Sequence, residues 1–225
     1  MDRTITEQIL LLTADRRGWL HRSDATEALV GGAVLVDLVL DSVIDLAATD
    51  ADRTDVRIVR IADAAALGAA AECLPRDAPL TPGLVSRVGS RSYDDAVTRL
   101  VRRGLVVREE GRVLGLVPRT RVRLADDRVA EDARDELRHA ASGRIEMDQR
   151  VATVVTLLDG AGVLDRIVGG YEAHAARDRI EQDTTAAEQV AQVLHGISIV
   201  AGAASAAATA AAAATTAPAI AGWRI

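Results

Sequence analysis

Arginine side chains are concentrated in one stretch of this sequence. Between positions 83 and 124 there are ten arginines and four acidic residues, whereas the whole chain carries a formal net charge of −6. A guanidinium group binds phosphate or carboxylate oxygens through paired hydrogen bonds. The stretch therefore predicts a surface that meets an anionic partner, and the acidic remainder argues against broad coating of nucleic acid. An ordinary solvated face is the alternative interpretation.

Carboxylates and histidines offer little further chemistry. Asp37, Asp41 and Asp45 are spaced by four residues and would share one face of a helix. One row of like charges gives poor coordination geometry for a metal ion, so pairing with arginines or water is favoured. The histidines are scattered: His21, His139, His174 and His195. No HxxxH, HExxH, GxSxG, phosphate-loop or GxGxxG pattern occurs, so we expect no enzyme, no metal site and no cofactor.

The arginine-rich stretch is predicted to be a helix followed by a β-hairpin. Apolar residues recur at helical spacing within residues 92–103, and Gly104 ends that helix. Apolar runs then flank Glu110 and Gly111 within residues 105–117, which predicts a hairpin with its turn at the glycine. Its second strand should be apolar on both faces, so that one face packs on the body and the other meets a membrane or a second copy.

The N-terminal half is predicted to be mainly helical. A capping box formed by Thr4 and Glu7 begins a first helix, and a second one at Asp24 begins the next. Residues 24–46 are apolar around most of a helical circumference, which predicts one buried helix at the centre of a bundle. Three carboxylates in its second half argue against a membrane span. Residues 56–61 predict a strand and residues 62–74 a helix.

Four further helices are predicted over residues 126–140, 147–158, 163–168 and 171–194, the first of them highly charged and exposed. Residues 196–225 form an alanine-rich C-terminal helix or tail. This segment is long enough to cross a bilayer, but alanine and threonine give little drive into lipid, so packing against the domain is preferred to a tail anchor. Because no Pro/Gly/Ser linker divides the chain, one domain over residues 1–225 is expected.

Localisation follows from the start of the chain and from its cysteine content. No apolar signal core follows the acidic N-terminal residues. Cys73 is the only cysteine, which excludes an intrachain disulfide. Both features indicate a protein of the reducing cytoplasm.

Two interpretations of the arginine-rich stretch remain open. In the first, VTRLVRRGLVVREEGR is the recognition helix and wing of a winged-helix DNA-binding regulator, built from helix 92–103 and hairpin 105–117. A DNA reader usually carries basic charge over more of its domain. The proline-punctuated loop before residue 92 also lacks a convincing first helix.

The second interpretation accounts for more of the chain. The sequence resembles the Golgi phosphoprotein 3 family, whose bacterial members are widespread in actinobacteria. The likeness is carried by ITEQILLLTADRRGWL, ALVGGAVLVDLVLDSVI, LVRRGLVVREEGRVLGLVPRTRVRLAD and, more weakly, MDQRVATVVTLLDGAGVLDRIV. The order and spacing of these four segments make the resemblance, which covers most of residues 5–168.

The resemblance implies a mostly α-helical single domain, with a central buried bundle, surrounding amphipathic helices and one protruding β-hairpin. It further implies a cytoplasmic, peripherally membrane-associated adaptor that binds phosphatidylinositol 4-phosphate or another anionic lipid. Expected partners are an anionic phospholipid or phosphoinositide membrane surface, an unidentified protein cargo and, through the hairpin, a second copy of the chain. Nucleic acid is not expected as a partner.

The resemblance also points to candidate residues. In the eukaryotic members a tryptophan, an arginine and two further basic residues line the headgroup pocket. The tryptophan position aligns near Arg22, with Trp19 three residues upstream, and the arginine position falls on Gly31. The two basic positions fall near Ser90 and Tyr93, beside Arg87 and Arg91. The candidate headgroup-binding residues are Trp19, Arg22, Arg87 and Arg91. The candidate hairpin residues for membrane or oligomer contact are Val113, Leu114, Leu116 and Val117.

Overall fold

The computed structural model describes residues 3–48, 56–63, 66–74, 79–113 and 117–182. The helices in these residues are α1 (Ile5–Leu12), α2 (Asp24–Leu40), α3 (Pro82–Arg102), α4 (Arg128–Ala141), α5 (Gln149–Gly160), α6 (Leu164–Val168) and α7 (Gly170–Gln182). The strands are β1 (Trp19–Leu20), β2 (Ile44–Ala48), β3 (Val56–Ile61), β4 (Val106–Val113) and β5 (Val117–Leu124). The predicted mostly α-helical class with one hairpin is confirmed.

Helix α1 is buried along its whole length, and the predicted capping box fixes its start. The Thr4 hydroxyl accepts a hydrogen bond from the Glu7 amide at 3.2 Å, and Glu7 Oε2 accepts one from the Thr4 amide at 3.3 Å. Asp37 of α2 adds a second cap, since its carboxylate accepts from the Ile5 amide at 2.8 Å and the Thr6 amide at 3.0 Å. The first of the spaced aspartates thus anchors α1 to α2.

Helix α2 is the buried central helix that the sequence predicts, but it ends at Leu40. Its N-cap is Ser23, rather than the predicted Asp24. The prediction of one helix over residues 24–46 is wrong at its C-terminal end, where Ser42 adopts a left-handed φ of 56° and the chain enters β2. Strand β2 pairs antiparallel with β3, which confirms the strand predicted over residues 56–61. Over so few residues a buried strand and a buried helix have the same apolar composition.

Helix α3 crosses α2 at two glycines. A Cβ atom at Gly31 would lie 2.0 Å from the Val85 carbonyl oxygen, and one at Gly89 would lie 1.7 Å from the Glu27 carbonyl oxygen. The two backbones are therefore in direct contact, which only glycine permits. The helix predicted over residues 92–103 is the C-terminal half of α3, which begins at Pro82.

The helix predicted over residues 62–74 is absent from the described part of that segment. Residues Gly68–Glu72 form a single 3-10 turn instead. Gly68 has a φ of +55°, which a right-handed helix does not accommodate. In the described residues, a 3-10 turn therefore stands where the sequence predicts a packed helix.

Strands β4 and β5 form the predicted hairpin, but with a different turn. Their pairing runs from Val106 opposite Leu124 to Val113 opposite Val117, and it places Gly111 in mid-strand. The prediction of a turn at Glu110 and Gly111, with both strands inside residues 105–117, is therefore wrong. The longer ladder satisfies more backbone hydrogen bonds than an early turn would.

The hairpin leaves the helical body from an anchored base. Val106 and Leu124 are buried there, whereas Arg108, Glu109 and Thr120 are exposed further along the two strands. Strand β1 pairs with β5 antiparallel and completes a three-stranded sheet in the order β1-β5-β4. The prediction of a hairpin that projects from the body is confirmed for its described residues.

The C-terminal helices close the hydrophobic core. Helix α4 is amphipathic rather than exposed all round, since Ala133 and Leu137 are buried. Arg177 of α7 donates to Asp159 at 2.8 Å and to Asp165 at 3.1 Å, which ties α7 to α5 and to α6. These two carboxylates raise the pKa of Arg177.

The last predicted segments lie partly outside the described residues. The helix predicted over residues 171–194 is described as far as Gln182, and residues 196–225 lie beyond it. Among the described helices, none combines the length and the apolar character needed to cross a membrane.

Candidate functional site

A cleft of about 840 Å³ opens between the three-stranded sheet, the N-terminal part of the chain before α2, and α3. We call it the sheet cleft. Its charged and aromatic lining residues are Asp15, Arg17, Trp19, His21, Arg22, Tyr93, Asp94, Asp95, Arg108 and Arg121. Guanidinium groups, carboxylates and aromatic rings thus meet on one accessible surface.

Asp15 organises the turn that forms one wall of the sheet cleft. Its Oδ1 accepts hydrogen bonds from the Arg17 amide at 2.8 Å and the Trp19 amide at 2.9 Å. Its Oδ2 lies 2.9 Å from His21 Nε2. The contact with His21 and these amide hydrogen bonds lower the pKa of Asp15. One carboxylate therefore sets the path of the turn that carries Arg17 and Trp19.

Trp19 is half-buried at the sheet edge, where it pairs with Arg123 of β5. The guanidinium carbons of Arg121 and Arg123 lie 5.6 and 5.8 Å from the centre of the Trp19 ring. Both distances fit cation–π contacts. Arg123 Nε is buried without a hydrogen-bond partner in the described residues.

Arg22 is held by contacts at all three of its nitrogens. Nε donates to Glu27 at 2.6 Å, Nη1 donates to Asp94 at 2.8 Å, and Nη2 donates to the Ser90 carbonyl at 3.0 Å. The guanidinium also lies 5.2 Å from the centre of the Tyr93 ring. The hydrogen bond to Glu27, followed by that to Asp94, raises the pKa of Arg22, while burial raises the pKa of the Tyr93 hydroxyl. Arg22 therefore joins the start of α2 to α3.

Arg108 meets α3 one helical turn further on. Its Nη2 donates to the Thr98 hydroxyl at 2.9 Å, and that hydroxyl donates to the Asp94 carbonyl at 2.7 Å. In the part of the chain that the structure describes, Arg108 has no carboxylate partner. Thr98 thus positions a guanidinium group whose other N–H groups have no partner of opposite charge.

The four predicted headgroup residues lie in two clefts. Trp19 and Arg22 line the sheet cleft. Arg87 and Arg91 line a second cleft of about 630 Å³ beside the 3-10 turn, which we call the turn cleft. Arg91 Nη1 lies 3.7 Å from Glu72 Oε2, and Cys73 also lines this cleft. Ser90 lines the turn cleft as well, and its contact with Arg22 connects the two clefts.

The predicted hairpin residues are less completely described. Val113 and Val117 form the last described pair of the β4–β5 ladder. Leu114 and Leu116 lie outside the described residues.

The spaced aspartates do not act as one group. Asp37 caps α1, Asp45 pairs with Arg60 at 2.5 Å, and Asp41 is the exposed C-cap of α2. The sequence favours pairing with arginines or water, and the structure shows an arginine partner for Asp45 and backbone and hydroxyl donors for Asp37. The described residues contain no group of three potential ligands that could hold a metal ion.

Comparison with known proteins identifies the family of this chain. A sequence model of the family described as Golgi phosphoprotein 3 (GPP34) matches residues 5–214. The chain belongs to the Golgi phosphoprotein 3 family. The match confirms the resemblance carried by the four sequence segments and is consistent, at a general level, with lipid or membrane-associated interactions. No curated protein matches the chain.

Three of the four residues to which the resemblance points for the headgroup pocket, Arg22, Ser90 and Tyr93, are in contact in this chain. Arg22 contacts Ser90 and Tyr93 directly. Gly31 is packed against Val85 and Gly89, so the α2–α3 crossing leaves no room for an arginine there. At these four positions the chain therefore provides one guanidinium group, and that group is internally paired.

Sequence reasoning did not single out Arg17 or Arg108 for the cleft. Arg17 had a local signal, because it precedes Gly18 and Trp19 in a predicted turn. Arg108 had none, since only the hairpin register and the contact with Thr98 bring it to α3.

Proposed function

We propose that this member of the Golgi phosphoprotein 3 family is a non-catalytic adaptor that associates peripherally with the cytoplasmic face of a membrane. It binds phosphate-bearing headgroups of anionic lipids, including phosphoinositides of the phosphatidylinositol 4-phosphate type. The observation that carries the proposal is the lining of the sheet cleft, which includes Trp19 and the three arginines Arg17, Arg108 and Arg121. None of these three arginines has a carboxylate partner among the described residues.

The physical basis is electrostatic. An arginine near an anionic bilayer surface contributes on the order of 1 kcal/mol, and the attraction declines within a Debye length of about 10 Å at 0.1 M salt. Trp19 adds an amphipathic ring of the kind that favours the membrane–water interface. The projecting hairpin starts beside this cleft, since Arg108 and Arg121 belong to β4 and β5. The sheet cleft and the hairpin can therefore contact the same membrane surface.

The internal pairing of Arg22 affects which lipid headgroups can bind. A ligand that needs this guanidinium must compete with Glu27 and Asp94, and no second guanidinium can stand at Gly31. This arrangement supports binding to anionic headgroups in general over a strict requirement for a phosphoinositide.

Liposome flotation of the full chain tests the proposal. Vesicles of phosphatidylcholine alone, with added phosphatidylglycerol, and with added phosphatidylinositol 4-phosphate are compared at two salt concentrations. We expect binding to both anionic compositions that weakens as salt rises, and graded losses for Arg17→Gln, Arg121→Gln and the double variant. Arg144→Gln is the matched control, because Arg144 is an exposed arginine that lines neither cleft. Absence of binding to every anionic vesicle contradicts the proposal.

The winged-helix interpretation is tested with the same protein. It requires a helix immediately before the recognition helix in sequence, whereas the described residues 66–74 before α3 contain a 3-10 turn. A selection from random duplex DNA checks for sequence preference, which direct base contacts by arginine would produce. Sequence-selective DNA binding without vesicle association would favour the regulator over the adaptor.

A further inference from the structure

We propose that the strands of the hairpin lie along an anionic bilayer with one defined face against it, the face of the sheet that is turned away from the helices. This inference rests on the proposed membrane association and adds the surface and the orientation of the contact. It comes from the β4–β5 register, because successive residues of a strand point to opposite faces of a sheet.

The inner face of the sheet is turned to the helices. Val106 and Leu124 form one pair of the β4–β5 ladder, and both side chains are buried. Leu20 of β1 is buried as well. Arg108 stands two residues after Val106 and therefore on the same face, where it donates to Thr98 of α3. The helical body thus covers this face at the base of the hairpin.

The opposite face, which we call the outer face, carries Trp19, Val107, Glu109, Arg121 and Arg123. Trp19 and Val107 are both paired with Arg123 and share its face, and the next pair on that face joins Glu109 to Arg121. Trp19 is half-buried, and Val107 is 42% exposed. The solvated face of an antiparallel sheet is usually polar, so an indole ring beside an exposed valine favours contact with an amphipathic partner.

The chemistry of the outer face fits the interface of an anionic membrane. The guanidinium carbons of Arg121 and Arg123 lie 5.6 and 5.8 Å from the centre of the Trp19 ring, so two positive charges stand beside one indole. Tryptophan is enriched at the level of the lipid headgroups, and arginines are attracted to anionic headgroups there. An acidic protein would meet the same charges. The exposed Val107 beside the ring favours a bilayer, which offers apolar and anionic groups together.

The outer face borders the sheet cleft. Trp19 and Arg121 belong to the outer face and also line the cleft. Arg108 lies on the inner face and contributes to the cleft from the side of α3. A bilayer against the outer face would therefore bring lipid headgroups to the rim of the cleft that Trp19 and Arg121 form.

Two adjacent glutamates distinguish this orientation from others. Glu109 lies on the outer face and Glu110 on the inner face, and both are exposed. With the outer face against the bilayer, Glu109→Gln removes a repelled charge and should tighten binding to vesicles of phosphatidylcholine and phosphatidylglycerol about fivefold. Glu110→Gln is the matched control. Its charge stands farther from the bilayer by roughly a Debye length at 0.1 M salt, so the change should be about twofold or less.

Fluorescent labels report the orientation directly. Cys73 is the only cysteine, so Glu109→Cys or Glu110→Cys in a Cys73→Ser background gives one site for an environment-sensitive nitrobenzoxadiazole label. On binding to the same vesicles, the emission should shift to the blue and intensify at position 109, and it should stay near its value in water at position 110. Trp223→Phe leaves Trp19 as the only tryptophan, and lipids brominated in their acyl chains should quench its emission. Thermal melting of each variant shows that the fold is retained.

The outcomes separate the two proposals. A response at position 109 alone, together with tighter binding of Glu109→Gln, supports the outer face as the membrane contact. Equal responses at both positions, a response at position 110 alone, or no response at either while the protein floats with the vesicles overturns the orientation and leaves membrane association standing. Equal effects of the two glutamine variants overturn it as well. Absence of binding of the native protein to any anionic vesicle overturns the proposed function itself.

Discussion

Gly31 and Gly89 meet backbone to backbone where α2 crosses α3. A Cβ atom at Gly89 would lie 2.7 Å from the Gly31 amide nitrogen and 1.7 Å from the Glu27 carbonyl oxygen. The atoms in the way belong to the backbone and cannot rotate aside. These two glycines therefore set the closest approach of the helices that carry Arg22's partners Glu27 and Asp94.

The close crossing of α2 and α3 predicts how one added methyl group changes the stability of the fold. We expect Gly89→Ala to lower the free energy of unfolding by about 3 kcal/mol, at the upper end of overpacking effects, because the two helices must separate. Gly83→Ala is the matched control on the same helix, since no atom lies within 4 Å of its Cβ position. Alanine there should be neutral or stabilise by up to about 1 kcal/mol. Urea denaturation of both variants measures the difference, and equal stabilities would show that the helices do not touch at Gly89.

An ion pair with one buried partner, Glu7, joins α1 to the end of α3. The Glu7 side chain is 3% exposed and accepts a hydrogen bond from Arg103 Nη1. Glu7→Gln removes the charge from a buried carboxylate and weakens its hydrogen bond with Arg103, so it should destabilise the fold by about 2 kcal/mol. The neighbouring variant Arg102→Gln serves as control because Arg102 is exposed. If both variants unfold at the same urea concentration, the pair does not contribute to stability.

The Asp37 carboxyl group predicts that the stability of the fold depends on pH. Burial raises the pKa of this carboxyl group above its ordinary value of 3.8, although the Thr6 hydroxyl and the Ile5 and Thr6 amides donate to it and oppose the shift. The folded protein thus binds this proton more tightly than the unfolded chain. The contribution of Asp37 protonation to the free energy of unfolding is fully present below pH 3.8. It is lost as pH rises through the folded-state pKa of this group.

Comparison with Asp37→Asn isolates that contribution. The stability of the native protein relative to this variant should fall as pH rises from 3.8 and then become constant. Urea midpoints measured for both proteins across this window give the difference directly. Asp41→Asn, at the next aspartate of the same row, controls for the loss of one charge. A difference that grows with pH would contradict the raised pKa.

The sequence between β4 and β5 makes a separate prediction. Leu114 and Leu116 are large apolar residues in the segment that joins two strands projecting from the body. An apolar segment at such a position favours contact with a bilayer or a second copy. Leu114→Asp or Leu116→Asp should therefore weaken flotation or shift the oligomeric state measured by light scattering. If neither property changes in either variant, the hairpin has no role in association.

Local sequence determined the elements whose signals lie within a few residues. The capping box of Thr4 and Glu7 started α1 as predicted, and the apolar run after Ser23 gave the buried central helix. Short-range hydrogen bonds decide such starts, so sequence spacing suffices. The end of α2 and the hairpin turn were not predicted correctly. Both depend on which strand pairs with which, and pairing partners are distant in sequence.

Tertiary structure alone decided which arginines face the cleft. The sequence located a cluster of positive charge and its family, but it grouped Arg87 and Arg91 with Trp19 and Arg22. Folding placed the first pair in the turn cleft and brought Arg17 and Arg108 to the sheet cleft. It also paired Arg22 with Asp94, 72 residues away. The charge of a guanidinium is fixed by its chemistry, whereas its availability depends on carboxylates that only the packing of helices brings within reach.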